Sequence, residues 1–147
     1  EAESVGFALS LLFIGGAIGK FICGVLAERL GIIATVVLTE CITGFGILIL
    51  TELPFPYIYL FLPVLGAALN GTSSVLYGTV ADFVDPGRVA RAFGIFYTFV
   101  IASFAVVAPL MGRMSDILGV NDSIQLIGWI ALSTVPMAAV LSYLRSK

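Results

Sequence analysis

Apolar residues run almost unbroken through five stretches of this chain, at about 5–27, 32–51, 57–81, 93–112 and 123–144. Each is close to the roughly 20 residues that an α-helix needs to cross a hydrocarbon core. A strand reads as only about 4–8 apolar residues, so these stretches are helices. Short polar connections separate them, at 28–31, 52–56, 82–92 and 113–122. Glycines recur inside the runs. They are tolerated there because the helix satisfies its own backbone and small residues let neighbouring helices approach. The pattern predicts an all-α fold, a polytopic membrane helix bundle with five transmembrane helices.

Composition strengthens that reading. The 147 residues are 60% hydrophobic and only 11% charged, whereas a soluble domain carries about 25% charged residues. There are too few charges to cover a globule in water, so the lipid bilayer is the first expected partner. A net charge of −2 offers no basic face, which argues against nucleic acid. Histidine is absent, and with it the commonest general base and metal ligand. Cys23 and Cys41 lie inside apolar runs with no CxxC spacing, and read as small, inert core residues. No cofactor and no metal are expected.

Basic residues orient the bundle. Arg29, Arg88, Arg91, Arg145 and Lys147 fall on one side of the membrane and Arg113 on the other. The excess marks the cytoplasmic face, so the N-terminus of the segment lies outside and its C-terminus inside. An odd number of spans reads as a piece of a larger bundle.

Two helix exits share a pattern. Gly24-Val25-Leu26-Ala27-Glu28-Arg29-Leu30-Gly31 and Gly112-Arg113-Met114-Ser115-Asp116-Ile117-Leu118-Gly119 both read G-x-x-small-acid-x-L-G. The first lies at a cytoplasmic end and the second at an external one. A helix is expected to stop before each acid, with a turn glycine three residues on. Such an inverted echo fits the internal repeats of many secondary transporters.

The first copy resembles the G-x-L-a-[D/E]-R-x-G loop signature of the major facilitator superfamily, in the form found between its helices eight and nine. Ile32 and Ile33 stand where the family usually has basic residues. The run from Asp85 to Gly94 resembles the family's loop between helices ten and eleven, and Pro109 to Gly119 resembles its end of helix eleven. The resemblance covers residues 1–147 and implies that this segment is the C-terminal half of such a transporter, helices eight to twelve. The N-terminal half of the same protein would then be a missing partner. It further implies a secondary transporter of a small organic solute by alternating access in the plasma or inner membrane, driven by an ion gradient, most often protons. General likeness to bacterial drug and antimetabolite exporters points to efflux by antiport. The motif residues Gly24, Glu28, Arg29 and Gly31 would form a gating loop, with Arg88 and Arg91 beside it. Those two arginines read either as orientation and headgroup contacts or as inner-gate partners of Glu28 or Asp82.

Two charges lie deep in the spans. Lys20 precedes Glu28 by eight residues, about 12 Å along a helix, and Glu40 lies eight residues beyond Ile32. An antiparallel hairpin places them at one depth. An unpaired charge at a helix centre costs at least about 2.5–3.5 kcal/mol, so the two are expected to meet as a buried ion pair or through a hydrogen-bond network. Such a pair would either hold two helices in register or serve proton coupling or solute binding. Small neighbours at Gly16, Cys23, Gly24 and Ala27 aim Lys20 at another helix or a cavity.

Asn70, Ser73, Ser74 and Tyr77 follow the i, i+3, i+4, i+7 pattern of one helical face. Polar groups in hydrocarbon need partners, so this face looks inward. It would provide either interhelical hydrogen bonds or the wall of a solute cavity, which the resemblance favours. Tyr97 and Ser103 are weaker candidates of the same kind. Competing classes fare worse. An intramembrane enzyme would need a catalytic set, and there is no HExxH and no base for the serines except Lys20. A non-transporting membrane subunit or scaffold of a larger complex remains the alternative.

Overall fold

The computed structural model of the protein describes the backbone of residues 2–145 and the side chains of residues 3–81 and 84–140. Five long helices follow one another: α1 (Ala2–Leu30), α2 (Ile32–Leu50), α3 (Tyr57–Thr79), α4 (Val89–Leu118) and α5 (Val120–Arg145). Two 3₁₀ turns, Val80–Phe83 and Pro86–Arg88, join α3 to α4. All five helices are long and apolar enough to cross a membrane. The protein is a helical membrane bundle, as the apolar pattern requires.

The helix ends differ from expectation at both copies of the shared motif. Neither helix stops before its acid: α1 runs through Glu28 to Leu30, and α4 runs through Asp116 to Leu118. The connections expected at 28–31 and 113–122 shrink to single glycines, Gly31 and Gly119. Hydropathy marks where lipid contact ends, while the helix continues through polar residues into the headgroup layer. What ends it is backbone geometry. Gly31 has φ 85°, ψ 157° and Gly119 has φ 92°, ψ 159°, a region open essentially to glycine alone.

The two turns are built alike in further detail. Gly31 N–H donates to Ala27 at 3.1 Å and Gly119 N–H to Ser115 at 3.0 Å, closing the last helical turn in each case. Four residues later a hydroxyl binds back to the glycine carbonyl, from Thr35 Oγ1 in one copy and Ser123 Oγ in the other, both at 2.9 Å. Both hydroxyl residues are buried. The echo therefore extends four residues further, to G-x-x-small-acid-x-L-G-x-x-x-[T/S].

Packing follows the small residues. α1 lies chiefly on α3, α2 sits between α3 and α5, and α4 joins the bundle mainly through α5 and the two short turns. On α1, Gly15, Gly19 and Cys23 meet Pro63, Ala67 and Gly71 of α3, a constant offset that makes the two helices parallel. A methyl group at Gly15 would run into the Pro63 backbone and one at Gly19 into the Ala67 backbone. The backbones touch because nothing larger intervenes, which is how helices associate where no hydrophobic drive separates protein from lipid. Cys23 is buried in this seam, and Cys41 is half-buried on α2. The α2/α5 seam is antiparallel and also small, with Gly44 against Gly128 and Leu132. α4 contributes no buried residue.

Candidate solute cleft

Lys20 follows Gly19 on α1. Successive helical residues are turned by about 100°, so burying Gly19 against α3 swings Lys20 to the edge of the seam. There it lines two adjoining clefts. The upper, of about 420 Å³, is walled by Phe13, Ala17, Phe21 and Asn70 as well as Lys20. The lower, of about 580 Å³, continues past Gly24, Ala27 and Glu28 on α1 and Ser74, Val75, Gly78 and Thr79 on α3. Both volumes fall in the range of small-molecule sites. Lys20 is shared by the two, which together follow the α1/α3 groove from mid-span towards the end where Glu28 stands.

The polar face of α3 divides by role. Asn70 lies over Gly16, where a Cβ would come within 2.5 Å of its Nδ2, and that nitrogen donates to the Gly66 carbonyl at 3.3 Å. Ser74 faces the lower cleft and bonds the Asn70 carbonyl at 3.5 Å. Ser73 donates to the same carbonyl at 2.8 Å and does not line either cleft. Tyr77 turns to α4, with its ring 5.4 Å from that of Phe96 and 5.0 Å from that of Tyr97. Tyr97 also stacks on Phe93 at 6.3 Å. The four residues expected on one inward face thus serve a cleft, a helix's own backbone and an aromatic cluster. Ser103 is exposed and donates to Phe99 of its own helix at 2.8 Å.

The expected meeting of Lys20 and Glu40 does not occur. Glu40 is half-buried on the α5 side of α2, where its Oε2 accepts a hydrogen bond from Thr134 Oγ1 at 3.1 Å. No ion pair joins it to Lys20 among the described residues. The reason is rotation rather than depth. Thr39, the preceding residue, is buried against α3, and the next position is carried about 100° round the helix.

That buried neighbour belongs to a feature that the sequence reading missed. Thr35, Thr39 and Thr43 line one face of α2 at four-residue spacing, all buried. Thr72 Oγ1 of α3 donates to Thr39 Oγ1 at 2.6 Å, and Thr39 donates on to the Thr35 carbonyl at 2.9 Å. Thr43 Oγ1 is buried with no hydrogen-bond partner among the described residues. The T-x-x-x-T-x-x-x-T spacing was the available signal, obscured because threonine counts weakly on hydropathy.

Among the motif residues, Gly24 and Glu28 line the lower cleft, Arg29 is exposed, and Gly31 makes the turn. Arg88 and Arg91 are exposed, and among the described residues neither pairs with Glu28. The side chains of Asp82 and Arg145, and all of Lys147, lie outside the described residues.

Comparison with known proteins agrees with this architecture. The family model of the Major Facilitator Superfamily matches residues 1–147. No curated protein and no solved structure matches the chain.

Proposed function

The chain belongs to the Major Facilitator Superfamily, whose members are membrane transporters, and we propose that it supplies helices eight to twelve of a secondary transporter that moves a small organic solute by alternating access. The observation that carries this reading is the α1/α3 groove, with one charged and several polar side chains on an otherwise apolar wall. Intramembrane ionisable residues facing a cavity mark transport pathways. The Gly31 and Gly119 turns join α1 to α2 and α4 to α5 through single residues, while the close seams are α1/α3 and α2/α5. Rocking of packed helix groups about a fixed site is how such folds expose it to each side.

Coupling falls to protons in this account. Glu40 is the acidic residue furthest from a helix end, and its one described side-chain partner is a hydroxyl donor. Solute and proton then bind on opposite sides of α2, so exchange passes through helix movement rather than through direct competition. The positive-inside distribution favours an external N-terminus for this segment in the cell membrane. Export by antiport is the direction that the likeness to drug and antimetabolite exporters favours.

The test is counterflow of labelled solutes by the full-length protein in liposomes, with and without an imposed pH gradient. Glu40→Gln is expected to keep counterflow and to lose the response to the gradient. Absence of counterflow for every solute tried would remove the transporter reading, and an unchanged pH response in Glu40→Gln would remove the coupling role.

A further inference from the structure

We propose that the solute bound in the α1/α3 groove is an organic anion with an aromatic or bulky apolar body, and that the Lys20 ammonium is its counter-charge. The proposal rests on the reading of this groove as the solute path and adds the chemical class of what it takes.

Lys20 makes no hydrogen bond or ion pair with any described residue. Two described acids stand near its helix pair, and neither pairs with it. Glu40 is turned to Thr134 on α5, and Glu28 stands at the far end of the lower cleft, two helical turns along the same face. An exposed cation at mid-span with no counter-ion among the described residues leaves a positive potential beside an apolar wall, where an anion is held more strongly than in water. A lipid headgroup lies at the wrong depth, about 12 Å away along the helix.

The rest of the upper cleft suits an apolar body behind the charged head. Phe13 and Phe21 stand 63% and 81% exposed on the same wall, offering ring faces with no described side chain stacked on them. Asn70 Nδ2 is held by the Gly66 carbonyl, which leaves its amide oxygen to receive a hydroxyl or N–H of the solute. A cationic solute would find Lys20 repulsive and would have no carboxylate in the upper cleft to replace it.

Binding of labelled benzoate to the full-length transporter in phosphatidylcholine nanodiscs tests this, with benzamide and benzylammonium as neutral and cationic competitors. Benzoate is expected to bind and to resist competition by either analogue. Lys20→Met should weaken it by roughly tenfold or more, the size of a lost charge-assisted contact, while Lys20→Arg should retain most of it. Removing the charge relieves an insertion cost, so Lys20→Met is expected to fold, and its thermal unfolding gives the control. The proposal fails if benzylammonium or benzamide competes as well as benzoate itself, if Lys20→Met binds normally, or if benzoate does not bind. It also fails if only phosphatidylglycerol, added to the discs, stabilises the protein through Lys20, since the anion would then be a headgroup. Any of these results alongside positive counterflow leaves the transporter reading intact.

Discussion

The α1/α3 and α2/α5 seams are both built on glycine, yet they treat a mid-span charge in different ways. The first is parallel, closes backbone to backbone through Gly15 and Gly19, and opens along its edge into a groove where Lys20 has no partner among the described residues. The second is antiparallel and stitched by polar side chains, with Gln125 Nε2 donating to Thr51 Oγ1 at 3.4 Å towards one end and Thr134 donating to Glu40 towards the other. One seam leaves its charge beside an open groove; the other gives its charge a hydroxyl contact across the seam. Matched depth therefore says little about meeting, because azimuth is set by which neighbour each helix buries.

The largest effect expected from that contrast is at Gly19. An alanine there would drive its methyl into the Ala67 backbone, so the α1/α3 seam must part, at a cost of about 1–3 kcal/mol or more. Gly94→Ala on α4 meets nothing within 4 Å and should be neutral or stabilising. Thermal unfolding of the full-length protein in detergent compares the two, and equal midpoints would show that the seam is looser than described.

Next in size are the two turn glycines. Gly31→Ala and Gly119→Ala each place a side chain in a glycine-only region and should destabilise by about 1–3 kcal/mol. The two losses should be similar, because the two turns share dihedrals and hydrogen bonds. A marked inequality would break the structural equivalence of the motif copies.

A smaller effect attends the threonine ladder between the seams. Thr72→Val removes the donor to Thr39 and should cost about 0.6 kcal/mol, with an upper bound near 1.7 on membrane-protein double-mutant cycles. Thr43→Val should cost nothing or stabilise, because its hydroxyl is buried without a partner. If Thr43→Val proved the more damaging, the hydroxyl would have a partner that this arrangement lacks.

Much of the fold was legible from apolar run length, which gave five helices with their order and approximate spans. The shared exit motif was legible too, and it folds alike in both copies. What periodicity could not reveal was rotation about each helix axis. Lys20 and Glu40 sit one position beyond Gly19 and Thr39, and a 100° step decides between partner and cleft. The polar face of α3 was read as one surface, but Tyr77 is drawn to α4 by Phe96 and Tyr97, residues that no α3 pattern contains. Helix ends were misplaced at Glu28 and Asp116 because charge was taken to end a helix, when a positive-φ glycine does.

The separation of the two charges is tested most directly by a double-mutant cycle on the unfolding free energy of the full-length protein, using Lys20→Met and Glu40→Gln. Separate environments predict additivity within about 0.5 kcal/mol. A coupling energy well above that, approaching the 3 kcal/mol seen for residues in contact, would mean that Lys20 and Glu40 meet after all and that the groove holds no free cation.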